Sequence, residues 1–333
     1  MRKLKTSLLL LLSFLFGAIV FVYVGNTIGW DSIFNSFKIF FTLEGLLIIV
    51  LSFFIAFLGA LRWREIIRDE DIYGRISLWR VFKIYMVGFS VVYLFPIIIF
   101  GSELLRASLL EHKEKIGFDR ALASVIIERI IEWTINVIVI LLATLYFFFR
   151  FARPSENIII VLGIAFLITL IIILLVYFYI FRKKSFLRKF LLKFSKEGYK
   201  ESVLIKTEKI LFNYFNVRNQ NLWKGYFLSI LKVLAMLLRI WLIIFFLGTI
   251  LKFMPSFSIL GFSFLSTLIP IPATLGIQEL IQAFAFENLN INLSISTTFS
   301  MLLRAGDVIV SISGFVLFFK AGYDFLKGKV FQK

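Results

Sequence analysis

Apolar runs of roughly 20 residues recur along this chain, and as helix that length crosses a hydrocarbon core of about 30 Å. No other feature restricts the fold as much. Of 333 residues, 60% are hydrophobic and 42 are phenylalanine. A mean hydropathy of +0.94 lies far above that of a soluble protein with about half apolar content. The chain reads as an all-α polytopic membrane protein, a single integral domain over residues 1–333. It has no cysteine, which excludes disulfides and thiol chemistry, and its one histidine, His112, does not make a zinc site. No metal or other cofactor is expected. A net charge of +17 suits cytoplasmic loops beside anionic headgroups, so the expected partner is lipid rather than nucleic acid.

Basic residues orient the runs. Arg2, Lys3 and Lys5 precede an uncleaved first span, Ser7 to about Gly25, and place the N-terminus in the cytoplasm. A second span, about Ile39 to Leu61, returns to a segment carrying Arg62, Arg64, Arg68, Arg75, Arg80 and Lys83. The stretch Arg182–Lys224 holds twelve Lys/Arg against three acids and is expected to be cytoplasmic, a basic amphipathic linker between two halves. Counting back from it, about 157–181 runs inward and about 121–149 outward. Both ends of the run Ile84–Phe100 then face the cytoplasm, so it should dip in and return, broken near Pro96–Gly101. From the basic tail backward, about 293–319 runs inward and about 226–251 outward. Met254–Glu287 should therefore enter and leave from outside, broken at Pro270, Pro272 and Gly276. The expectation is about six full spans plus two re-entrant hairpins, with both termini cytoplasmic in the cell membrane. Eight ordinary spans are the alternative, and they would put Arg106–Arg120 outside.

The two breaks echo each other. Gly101 and Gly276 stand 175 positions apart (276 − 101), Glu103 and Glu279 stand 176 apart (279 − 103), and Arg129-x-x-Glu132 is matched by Arg304-x-x-Asp307 at 175. A shared offset indicates a duplicated unit, about 39–149 and about 226–319. Because one hairpin opens inward and the other outward, the repeats are expected to be inverted.

Charges inside apolar runs cost several kcal/mol unless paired or wetted, and translocon scales give about 2.5–3.5 per residue. The chain nonetheless carries many. Glu128 and Glu132, at i,i+4, share a helix face, and Arg129 can pair with Glu132 at i,i+3. Arg304 and Asp307 repeat that spacing. Arg239 stands mid-span with no acid at i±3 or i±4, which favours a ligand phosphate. Glu103, Arg106, Gln278 and Glu279 follow the hairpin breaks, where half-helix N-termini suit a phosphate or these glutamates as caps. Broken helices survive in lipid only when buried in protein or lining a wet cavity. A central polar pocket between the repeats is therefore expected, with internal salt bridges as the alternative use of the same residues.

Taken together, Arg62-Trp63, Pro96…Gly101-Ser-Glu103…Arg106, Glu128-Arg129…Glu132, Pro272…Gly276-Ile-Gln-Glu279 and Arg304 resemble the transmembrane region of lysylphosphatidylglycerol synthase/flippase proteins. The resemblance covers nearly the whole chain. It implies a protein that handles a charged-headgroup lipid, anionic or aminoacylated, and moves it between leaflets. Relatives with two domains carry a soluble aminoacyltransferase. Here only a short basic tail follows the last helix, so that synthase activity is expected to be absent. Ile97-Ile98-Ile99-Phe100 stands where relatives often have small and basic residues, so the headgroup is not assumed to be lysyl-phosphatidylglycerol. A flippase or scramblase-like transporter is the first expectation, for a phospholipid or polyprenyl-linked lipid. A membrane enzyme, or the membrane partner of a lipid-modifying or glycosyltransferase system, is the alternative.

Overall fold

The computed structural model describes residues 38–68, 76–94, 101–152, 156–183, 203–268, 274 and 276–330. The first expected span, Pro96, Pro270, Pro272 and much of the basic linker lie outside these residues. Among the described residues, ten α-helices follow a 3-10 turn, Lys38–Phe41, and a π turn, Phe148–Ala152, extends the fourth. The helices are α1 (Leu43–Ile67), α2 (Leu78–Leu94), α3 (Gly101–Glu114), α4 (Phe118–Phe147), α5 (Glu156–Phe181), α6 (Val203–Tyr214), α7 (Gln220–Phe246), α8 (Phe253–Thr267), α9 (Ile277–Asn288) and α10 (Leu293–Val330). The molecule is an all-helical, multi-pass membrane protein.

Helix lengths follow local chemistry. Thr42 caps α1, its hydroxyl accepting from the Gly45 N–H at 3.4 Å, and Asn219 caps α7 by accepting from Asn221 N–H at 2.9 Å. The helix α1 runs six residues past the expected end at Leu61 because Arg62, the first cation there, is buried and paired rather than solvated. Similarly, α7 begins at Gln220 rather than about 226. Among the described residues, four segments, Leu43–Ile67, Phe118–Ala152, Gln220–Phe246 and Leu293–Phe319, are long and apolar enough to cross a bilayer. The four helices beside the two breaks are shorter, at 17, 14, 15 and 12 residues for α2, α3, α8 and α9. Within each pair the two helices pack on one another, α2 on α3 and α8 on α9, as half-length hairpins. Gly276, at φ 77°, enters α9 through a left-handed conformation that favours glycine.

The duplication is visible in the packing. Matching α1–α4 with α7–α10, each principal contact recurs: α2–α10 as α8–α4, α1–α2 as α7–α8, α3–α4 as α9–α10, and α4–α7 as α10–α1. The helices α1 and α7 pack on each other across the centre. Arg62 donates to Ser229 Oγ at 3.0 Å, and Arg239 donates to Ser52 Oγ at 2.9 Å. At an offset of 177 (239 − 62 and 229 − 52) these are the same bond made twice. They also show that α1 and α7 run antiparallel, because early residues of one meet late residues of the other. Two glycines repeat the relation. Gly314 leaves no room for a Cβ against the Met86 carbonyl, and Gly261 sits against Val139 and Ala143. Moving 86 and 139 forward by 175 gives 261 and 314. Lipid gives helices no hydrophobic reason to associate, so small residues that allow close backbone approach and inter-helix hydrogen bonds hold such bundles together. The helix α5 lies at the outside of the bundle, joined through the Tyr177 hydroxyl to Thr134 of α4 at 2.8 Å and to Tyr226 of α7, with Leu167, Ile171 and Leu174 facing outward.

Candidate functional site

In the first half, seven charged side chains form one network between α1, α3, α4 and α7. Glu128, fully buried, takes Arg62 on one oxygen and Arg106 Nη1 on the other at 3.0 Å. Glu132, one turn on, lies 3.1 Å from Arg62, accepts from Arg129 Nη1 at 3.1 Å, and pairs with Lys232. Arg129 also reaches Glu103 through Nε at 2.8 Å. The shared face predicted for Glu128 and Glu132 is what lets both meet Arg62. Arg106 is held between rings, its guanidinium carbon 4.1 Å from the Trp63 centroid and 5.0 Å from that of Tyr85. Trp63 is fixed in turn by an Nε1–H bond to Ser124 Oγ at 3.1 Å.

The second half repeats part of this in shorter form. Arg304 pairs with Glu279, matching Arg129 with Glu103. Arg239 donates to Asp307 Oδ1 at 2.6 Å, matching Arg62 with Glu132. The absence of an acid at i±3 or i±4 favours a ligand phosphate for Arg239, but a carboxylate reaches it from another helix: Asp307 comes from α10. Likewise Arg304, expected to pair with Asp307 at i,i+3, bridges to α9. Glu279 also caps α9, accepting from the Gly276 N–H at 2.9 Å. Gln278 accepts from the Thr274 hydroxyl at 3.0 Å. Where the first half has Arg106 and Glu128, the second has Gln282 and Leu303, so a cation and an anion are absent together. Gln282 uses its amide on Ser263 Oγ at 2.7 Å and the Ile259 carbonyl at 3.2 Å.

Two cavities lie between the halves. One, of about 250 Å³, includes Ser52, Arg239, Gln278 and Asp307 in its wall. The other, of about 240 Å³, includes Arg106, Arg129, Glu132 and Asn136. They share Tyr85, Phe89, Val92, Lys232, Phe264 and Thr267. Phe89 with Phe264, and Val92 with Thr267, are each 175 apart, so the cavities meet on the pseudo-two-fold axis. Both combine a few charged groups with apolar side chains, and the long helices around them turn apolar side chains outward.

Sequence reasoning missed Lys232. It lies inside an apolar helix, pairs with Glu132, and donates to the Tyr85 hydroxyl at 3.3 Å. A signal was present: Lys232 stands seven residues before Arg239, on the same helix face. Ser52 and Ser229, which receive the two mirrored arginines, carried no such signal.

Among proteins of known sequence, the chain is similar to "UPF0104 membrane protein MJ1595" of Methanocaldococcus jannaschii, 24% identical over 98% of both chains. No solved structure matches it. The family described as "Lysylphosphatidylglycerol synthase TM region" matches residues 10–314. With that match spanning both halves, their paired charges and the cavities between them, the chain belongs to the lysylphosphatidylglycerol synthase transmembrane-region family.

Proposed function

We propose that this protein moves a charged-headgroup lipid between leaflets, as a flippase or scramblase-like transporter. The observation that carries the reading is the pair of cavities, apolar but with a few charged groups in their walls, that meet at Phe89 and Phe264 between two antiparallel halves. A headgroup crossing a bilayer needs a polar path beside lipid, and halves related by inversion supply two equivalent conformations that open to opposite faces. In this reading α2–α3 dips in from the cytoplasm and α8–α9 from outside. Both termini are cytoplasmic, and the protein resides in the cell membrane. Family membership supports a lipid-related role.

Two charge types face the cavities. Arginines and Lys232 suit a phosphate, and Glu132 and Asp307 suit an amine if the headgroup has one. The test is leaflet exchange of fluorescent lipids in liposomes holding the purified protein. Exchange well above that of empty liposomes, reduced by Arg239→Ala and by Glu279→Gln, is expected. Exchange no faster than in empty liposomes across anionic, zwitterionic and cationic lipids overturns the proposal. Covalent change in the added lipid would favour the enzyme reading instead.

A further inference from the structure

The two halves differ in one respect that the fold does not require. Among the described residues, the second cluster of buried charges is electrically closed: Arg239 with Asp307, Arg304 with Glu279. The network in the first half holds four cations, Arg62, Arg106, Arg129 and Lys232, against three carboxylates, Glu103, Glu128 and Glu132. Among the described residues the excess is one positive charge (4 − 3). It does not come from Arg106 and Glu128, which are lost together in the other half as Gln282 and Leu303. It comes from Lys232, whose counterpart 177 residues back is Ile55.

An uncompensated charge inside a bilayer is expensive, and this one is not needed for architecture, since the same helix packing forms around Ile55 in the other half. Its position indicates what offsets it. Among the described residues, Lys232 is the only charged side chain common to the walls of both cavities. Glu132, its partner, already has Arg62 and Arg129, so Lys232 can turn to a ligand without leaving that carboxylate unpaired. We infer that the cavities receive a lipid whose headgroup is a phosphate diester with a net charge of −1, and that Lys232 is the ammonium that neutralises it. This rests on the transport reading for its setting and narrows the substrate to an anionic phospholipid. Zwitterionic and cationic headgroups are disfavoured because each brings its own positive charge to a site already holding a surplus.

The test uses the full chain in two formats. In liposomes, exchange of acyl-labelled phosphatidylglycerol, phosphatidylcholine and a diacyl trimethylammonium lipid is compared. In detergent, retention of the same three lipids is measured by native mass spectrometry. Phosphatidylglycerol should lead phosphatidylcholine by at least about tenfold, equivalent to about 1.4 kcal/mol, with the cationic lipid last. The ratio should collapse toward one in Lys232→Ile, which installs the residue of the other half, and persist in Lys232→Arg. In Glu132→Gln, which adds a second uncompensated positive charge, it should rise. No preference in the wild type, or an unchanged ratio in Lys232→Ile, overturns the assignment even if lipids exchange. Charge-selective retention without exchange would uphold it while removing the transport reading. Release of phosphatidylglycerol by millimolar glycerol 3-phosphate would mean a soluble phosphate ligand and would overturn the lipid assignment.

Discussion

Replacing Arg106 with glutamine and Glu128 with leucine would copy into the first half what the second half already holds, Gln282 and Leu303. Both side chains are buried, Arg106 at 1% and Glu128 at 0% exposure, with 3.0 Å between Nη1 and Oε2. With charge centres about 4 Å apart, an effective dielectric of roughly 20 gives an attraction of about 4 kcal/mol. Among the described residues, Glu128→Leu alone leaves Arg106 without a carboxylate, against the rings of Trp63 and Tyr85, while Arg62 keeps Glu132. That should cost about 4 kcal/mol, as when one partner of a buried pair is removed. Arg106→Gln alone leaves Glu128 with Arg62 but forfeits one charged hydrogen bond and the ring stacking, about 3 kcal/mol together. The double variant strands no charge, and its expected cost is about 4 kcal/mol rather than the sum of about 7, a coupling of about 3 kcal/mol. The assay is reversible unfolding in mixed SDS micelles followed by tryptophan fluorescence, with Trp63 beside the altered pair as a reporter. Additivity to within about 0.5 kcal/mol would refute the claim that these two residues form one exchangeable unit.

Mirrored positions should respond alike. Ser52→Val and Ser229→Val each remove the acceptor of one arginine and should cost about 1.5–3 kcal/mol apiece, read in the same unfolding assay. The glycines should differ in degree: Gly314→Ala meets the Met86 backbone and should cost about 2–3 kcal/mol, whereas Gly261→Ala meets the Ala143 side chain and should cost less. Because the chain has no native cysteine, Glu111→Cys and Glu287→Cys, exposed positions 176 apart in α3 and α9, can be labelled with impermeant maleimide. The first should react only from the cytoplasmic side and the second only from outside. Labelling of both from one side would eliminate the inverted arrangement.

Much of this architecture is legible in the sequence, because charges are rare in apolar helices and a shared offset between them stands out. The shared offset near 175 and the face common to Glu128 and Glu132 belong to this class. Partner choice was less readable. Spacing along a helix reports neighbours three and four residues away, so Arg304 was matched to Asp307 when its bridge runs to Glu279. For the same reason spacing shows no acid for Arg239, although Asp307 reaches it across the bundle. The end of α1 was misplaced at Leu61 because a run of cations signals water, and only tertiary pairing shows that Arg62 is dry. Lys232 went unnoticed because a lone lysine among leucines has no motif. Its meaning comes from Ile55, and that comparison requires the two halves to be superposed.

The seam between α1 and α7 joins like to like: the same arginine–serine latch closes at each end, once in each direction. Such a surface is self-complementary, so two copies of either half, inserted in opposite orientations, present each other with every donor and acceptor the seam requires. Joining the copies into one polypeptide fixes their stoichiometry and releases each from having to match itself. A lysine facing an isoleucine across the axis is a difference that identical, freely exchanging subunits could not have kept.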